Sequence, residues 1–341
     1  MNPAVSPAMD PNPQLVWDTI NAYQKTAALR AAIELDLFSA IGSDGATAQN
    51  LAKRTNASPR GVRILCDYLT VIGFLSKQGD AYTLTPTSSA FLDRRSPACM
   101  ASMVQFMNSP KLMSGFASLT ETVRRGGTSL AHDGVIEPEL DEWVVFAKSM
   151  MPLMKPASEF IAEEAMRASW PPRRVLDIAA GHGLFGIAVA QRVPEAEIVA
   201  QDWPAVLKVA EANAQSAGVG SRYRLLAGDA FRVPFEGEFD LVLLTNFLHH
   251  FDEQACAALL EKIYACLTPA GRLLTLEFVP NEDRVTPPIP ASFSMMMLGL
   301  TPTGDAYTKS DFDGMMAAAG FTQNQLKQVP QSPQQLIVST R

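Results

Sequence analysis

The sequence predicts an α/β protein: a mostly parallel, doubly wound sheet of seven strands closed by a C-terminal antiparallel hairpin, behind a mainly helical N-terminal unit. Three observations predict it. From Arg173 onward, short apolar strand-like runs alternate with helical ones, the mark of a parallel sheet with helices on both faces. Before residue 100 the pattern is helix, helix, hairpin. Acidic residues also stand at the ends of the first three strands of the C-terminal half, where such a sheet binds its ligands.

The 341 residues suffice for two domains with a sizeable core, and 47% apolar against 18% charged residues is an ordinary globular balance. A net charge of −7 argues against non-specific nucleic-acid binding. No apolar run reaches the ~18 residues of a membrane span. The Pro-rich start, residues 1–13, lacks the basic-then-apolar order of a signal peptide and is expected to be a disordered tail. Cys66, Cys99, Cys256 and Cys266 lack metal or disulfide spacing, so free thiols in a reducing cytoplasm are expected.

Residues 14–100 read as a winged-helix unit. Ser58-Pro59 is an N-cap followed by a first-turn proline, and "LSKQGDAYTLT" is a hairpin turning at Gly79-Asp80. A winged helix raises the question of DNA. Between Thr47 and Asp80, however, five basic residues (Lys53, Arg54, Arg60, Arg63, Lys77) face two acids (Asp67, Asp80), a thin basic face for a DNA reader. The apolar helix "YQKTAALRAAIELDLF" carries more apolar surface than a small domain buries, which points to a homodimer. Residues 101–167 read as methionine-rich helices of a linker and substrate pocket.

Residues 168–341 hold the sheet. Its strand candidates are "RVLDIA", "EIVAQD", "YRLLAGD", "FDLVLLT", "RLLTLEFV", "LKQVP" and "QQLIVST". The short gap between the last two makes them a hairpin. The first strand runs into "LDIAAGHGLFG", whose Gly181, Gly183 and Gly186 spell GxGxxG, by itself a weak sign of a dinucleotide. Asp177, just before the turn, is a poor neighbour for a pyrophosphate and suits a ligand ammonium group. Asp202 ends the second strand, nineteen residues beyond Gly183, where an acid accepts from ribose hydroxyls. Asp229 ends the third, placed to accept from an adenine amino group, with Phe231 against the ring. Three acids in register favour S-adenosyl-L-methionine, which has no phosphate and carries a sulfonium, over NAD.

"VLDIAAGHGLFG", "AQDWP", "GDAF", "FLHHFDE" and "GRLLTLEFV" together resemble the Rossmann-like class I S-adenosylmethionine-dependent methyltransferases. The likeness is specifically to the small-molecule O-methyltransferases that include plant caffeate-type and bacterial antibiotic-tailoring enzymes, and it covers almost the whole chain, the winged helix matching that family's dimerisation domain. The resemblance implies that Ala179, where a glycine is usual, and Gly181 form the cofactor turn. It implies that Asp202 with Trp203 holds the ribose and that Gly228, Asp229, Ala230 and Phe231 surround the adenine. Thr245 stands where plant members often carry a lysine near the cofactor. His249 matches the catalytic base and Glu277 the acid that orients it; the product would be S-adenosyl-L-homocysteine.

A phenol of pKa ~10 loses its proton to a histidine of ~6.5 only uphill, by about 5 kcal/mol, so transfer must be coupled to attack. His250 is expected to pack or bond locally, before the N-cap Asp252 of "EQACAALLEKIYACL". One departure concerns the base. Much of the family has a glutamate where this chain has Ala306, and either Asp305 substitutes or the second support is missing. Phe146, Met150, Phe293, Met296 and Met297, with Asp305, are expected to line a flat, apolar acceptor site. C- or N-methylation, an NAD-dependent oxidoreductase and a DNA-binding sensor are the competing readings.

Overall fold

A computed structural model describes residues 12–131, 133–136, 141–167 and 171–341, so nearly all of the expected N-terminal tail lies outside the described residues. The chain forms two compact units that meet in sequence at Gln105 and Phe106.

In the first unit, helices Ala48–Arg54 and Pro59–Val71 precede a hairpin of β2 (Leu75–Gln78) and β3 (Ala81–Leu84), with the two-residue β1 (Ala46–Thr47) on the other edge of β3. Ser58 caps the second helix, its Oγ accepting from Gly61 N at 3.5 Å. Phe38, Leu51, Leu69 and Tyr82 fill the core. Asp67 accepts from Arg63, Lys77 and the Tyr82 hydroxyl at 2.6–2.7 Å. Two of the five basic residues of this region are thereby tied to an acid of their own fold. Helix Gln14–Ile20 buries nothing, and Leu15, Val16, Trp17 and Ile20 stand exposed.

The second unit contains β4 (Arg174–Ile178), β5 (Glu197–Asp202), β6 (Tyr223–Ala227), β7 (Phe239–Thr245), β8 (Leu267–Glu277), β9 (Gln323–Gln328) and β10 (Gln335–Thr340). They lie in the order β6-β5-β4-β7-β8-β10-β9. All pairs are parallel except those of β10, which runs antiparallel to both β8 and β9. The chain goes one way from β4 to β5 and the other to β7, and this reversal opens a crevice at the carboxyl ends of the strands. β9 begins at Gln323, earlier than the apolar pattern suggests. It is an edge strand, free of the need for apolar residues on both faces that marks the interior strands.

Helix Glu253–Cys266 is capped by Asp252, whose Oδ1 accepts from Ala255 N at 2.8 Å. Cys256, Leu259, Leu260 and Ile263 on it are buried against Val242, Leu244 and Leu273 of the sheet; each such aliphatic side chain contributes about 1.5–3 kcal/mol. Arg272 on β8 donates to the Glu164 and Ala165 carbonyls at 3.1 and 2.7 Å. It thereby satisfies the open end of helix Met151–Ala165 and fixes the helix that carries Met154 to the crevice. None of the described helices is long and apolar enough to cross a membrane.

Candidate active site

The crevice holds a cavity that, counted together with the open solvent at its mouth, spans about 1060 Å³ of empty space. The wall expected to take the cofactor is built from the ends of β4, β5 and β6. After β4 the backbone turns through Ala179 (φ 51°), Gly181 (φ 57°) and Gly183 (φ 77°). An alanine in this left-handed region costs roughly 1–2 kcal/mol, a strain that a glycine at 179 would not carry. Gly183 also needs its lack of a side chain, because a Cβ there would come within 2.6 Å of the Tyr223 hydroxyl. The turn aims Gly181 N at Asp202 Oδ2 (2.8 Å), while Oδ1 accepts from Trp203 N (2.7 Å). Burial pushes the Asp202 carboxyl up to about 6 in spite of these bonds. Asp229 Oδ1 accepts from Phe231 N at 2.9 Å, which fixes the loop Gly228–Phe231 on the cavity wall. Ala179, Gly181, Asp202, Trp203, Gly228, Asp229, Ala230, Phe231 and Thr245 all line the cavity.

Asp177 does not. It is fully buried, and its Oδ2 accepts from Gly186 N at 3.0 Å, beneath the glycine turn. This corrects the expectation of a ligand contact. In a strand buried on both faces the acid points into the packing of helix Leu184–Arg192 instead of towards the crevice. Burial pushes its carboxyl up to about 8, and Oδ1 has no partner among the described residues.

The rest of the lining is largely aromatic: Trp143, Phe146, Phe247 and Phe251 belong to it, the last two packed against Phe231. Just behind it lies a second polar group. Glu277, at the end of β8 and wholly buried, accepts from Phe247 N and Leu248 N through Oε1, both at 2.9 Å. Its Oε2 lies 2.5 Å from His249 Nδ1. A carboxylate only accepts, so Nδ1 carries a proton, and in the neutral ring Nε2 then keeps its lone pair. The His249 ring is 4% exposed, meets Phe293 edge-on at 4.9 Å and lies 4.2 Å from the ring of His250.

His250, not His249, lines the cavity. Its Nδ1 does bond locally, to Phe247 O at 3.1 Å, but the ring also meets Trp143 edge-on and belongs to the cavity wall. The expectation of a purely local residue is corrected to that extent. Burial, then the neighbouring His249, holds its pKa well below the usual imidazole value.

Among the expected acceptor-side residues, Phe146 lines the cavity. Met296 packs with it and Trp143 in one apolar cluster, Phe293 covers His249, and Met150 and Met297 are buried. Asp305 turns away. Its Oδ1 accepts from Ala306 N, and Oδ2 pairs with Arg284 at 3.4 Å, both side chains being over two-fifths exposed. It does not replace the family's glutamate. Backbone packing is the reason: a Cβ on Gly304 would lie 2.2 Å from the His249 carbonyl, so residue 304 abuts His249 through the main chain and Asp305 follows on the outside. Sequence reasoning missed His182, Gln201, Phe247, Phe251 and Trp143 on the cavity wall. Only His182 carried a signal, since it sits inside the glycine motif.

Residues 138–322 match the model of the O-methyltransferase domain, and residues 17–94 that of the O-methyltransferase dimerisation domain. The chain belongs to the O-methyltransferase family. A solved structure of a candidate O-methyltransferase from Nostoc punctiforme is 47% identical and superposes with a TM-score of 0.95 over 97% of this chain and all of the other. The acetylserotonin O-methyltransferase of Mus musculus is 26% identical, covering 96% of this chain and 88% of that protein. The tetracenomycin polyketide synthesis 8-O-methyl transferase of Streptomyces glaucescens is 25% identical, covering 88% and 89%. The O-methyltransferase described here is thus an enzyme of the S-adenosylmethionine-dependent class that acts on small molecules. Its cavity fits that methyl donor. The glycine turn admits a close approach, Asp202 offers ribose acceptors, and the described lining holds two carboxylates and no lysine or arginine, a poor setting for a pyrophosphate.

Proposed function

We propose that this O-methyltransferase methylates a hydroxyl on a flat, apolar, aromatic acceptor, with His249 as general base and Glu277 as the residue that orients it. The observation that carries the reading is the 2.5 Å contact of His249 Nδ1 with Glu277 Oε2. Glu277 is itself anchored by two backbone N–H groups, so the ring is fixed in one tautomer with Nε2 as the acceptor. S-adenosyl-L-methionine, when bound, supplies a methyl group already activated on sulfur. Asp202 and Trp203 would hold its ribose, the loop Gly228–Phe231 its adenine, and the turn Ala179–Gly183 its amino-acid end.

The protein's remaining task is to position the acceptor and take its proton. Trp143 and Phe146, whose rings meet edge to face, supply apolar faces for the acceptor, and Phe293 shields the base from water. The buried carboxylate stabilises the imidazolium that forms as Nε2 takes the hydroxyl proton. The exposed apolar helix Gln14–Ile20 supports a homodimer formed through the N-terminal unit.

The test is calorimetric titration of S-adenosyl-L-methionine into the purified protein, followed by a mass-based screen of phenols for methylated products. His249→Ala should lower kcat by about 10²–10⁴ while donor affinity stays within about threefold. His250→Ala should cost less. The reverse order would transfer the role of base to His250.

A further inference from the structure

The three described histidines differ in tautomer. His249 and His250 each have Nδ1 beside an acceptor oxygen, which leaves Nε2 with a lone pair. His182 is the opposite case. It stands in the glycine turn between Gly181 and Gly183, lines the cavity and is 3% exposed. Leu184 N donates to its Nδ1 at 3.1 Å. A neutral ring that accepts at Nδ1 must carry its proton on Nε2, and burial, which holds the pKa down at about 4, keeps the ring neutral. That Nε2–H has no partner among the described residues.

The surroundings indicate what it serves. The described lining contains the carboxylates of Asp202 and Asp229 and no cationic side chain. A ligand carboxylate entering this cavity meets like charge, so neutral N–H donors must hold it. Several nearby donors are already committed: Gly181 N to Asp202, and the Gln201 amide nitrogen to Gly228 O at 2.5 Å. His182 is one residue beyond Gly181, and so beside the place where the chain leaving the ribose would run.

We propose that His182 binds the α-carboxylate of the methyl donor, donating Nε2–H to one of its oxygens. This rests on the donor reading above. A neutral donor suits the position because it holds the carboxylate without adding a further positive charge to those of the ligand's sulfonium and ammonium.

The experiment compares S-adenosyl-L-methionine with decarboxylated S-adenosylmethionine, which keeps the sulfonium and the ammonium, by calorimetry on the full-length protein. His182→Leu should weaken the intact donor about 10- to 100-fold and leave the decarboxylated ligand within about threefold. His182→Gln, whose amide retains an N–H, should restore most of the loss. Equal loss for both ligands, no loss for either, or no recovery with glutamine while the decarboxylated ligand still binds would overturn the assignment. Wild-type protein that binds neither ligand would instead overturn the donor reading, and this inference with it.

Discussion

The wall proposed to hold the cofactor (the cofactor wall) and the wall proposed to hold the base (the base wall) are built on opposite principles. On the cofactor wall, polar groups are satisfied by backbone close in sequence or on the adjoining strand: Asp229 by Phe231 N, Asp202 by Trp203 N and by Gly181 N. Turn chemistry shapes this wall before any substrate arrives. On the base wall the decisive contact joins residues 28 apart, and the acid end of β8 meets the turn after β7 only because those strands pair in parallel. A local wall tolerates the loss of one group, whereas a wall hung on one buried carboxylate fails as a unit.

Substitutions at each wall put this contrast to the test. Glu277→Gln should have the largest effect. The amide oxygen can still accept from Phe247 and Leu248, but an N–H now faces His249 Nδ1 and forces the other tautomer. Steady-state kcat should fall about 10³-fold, with melting temperature and donor affinity nearly unchanged; a retained kcat would show that the tautomer does not matter. Asp202→Ala should act on the other wall, raising the donor dissociation constant about 30-fold in calorimetry and changing saturated kcat far less. If both parameters collapse, the two walls are not separable.

Asp177→Asn tests the buried acid that never reaches the ligand. Its carboxyl lies at about 8 when folded, against 3.8 ordinarily. Between those values the folded chain keeps a proton that the unfolded chain has released, so the stability of the ligand-free protein falls as pH rises through this window. The amide carries no such penalty and can still accept from Gly186 N. Melting curves between about pH 5 and 8 should therefore decline less steeply for the variant, by several degrees; parallel curves would refute the assignment. The smallest effect is expected for Asp305→Ala. Its ion pair with Arg284 is exposed and contributes about 0–1 kcal/mol, and kcat should stay within about twofold. A large drop would restore Asp305 to the base wall.

Much of the cofactor wall was legible in the sequence because its residues fall at strand ends, and strand ends can be read from apolar runs. The limits were physical. Asp177 stands at a strand end as Asp202 does, yet it faces the packing of a helix, and the direction of a side chain in a strand buried on both faces leaves no trace in hydropathy. Asp305 stands beside Ala306 in the motif but not beside His249 in space, because the main chain of Gly304 takes the room there. The paired histidines carried no mark of which ring would meet the cavity.

By itself, then, the sequence determined the order of elements, the caps at Ser58 and Asp252, the glycine turn and the acids that end β5 and β6, all of which depend on a few neighbouring residues. Only the tertiary structure decided that Glu277 reaches His249, that His250 and His182 form cavity wall, and that Asp177 and Asp305 do not. Those outcomes depend on which strands pair and which faces pack, and such contacts couple residues too far apart for any local pattern to record.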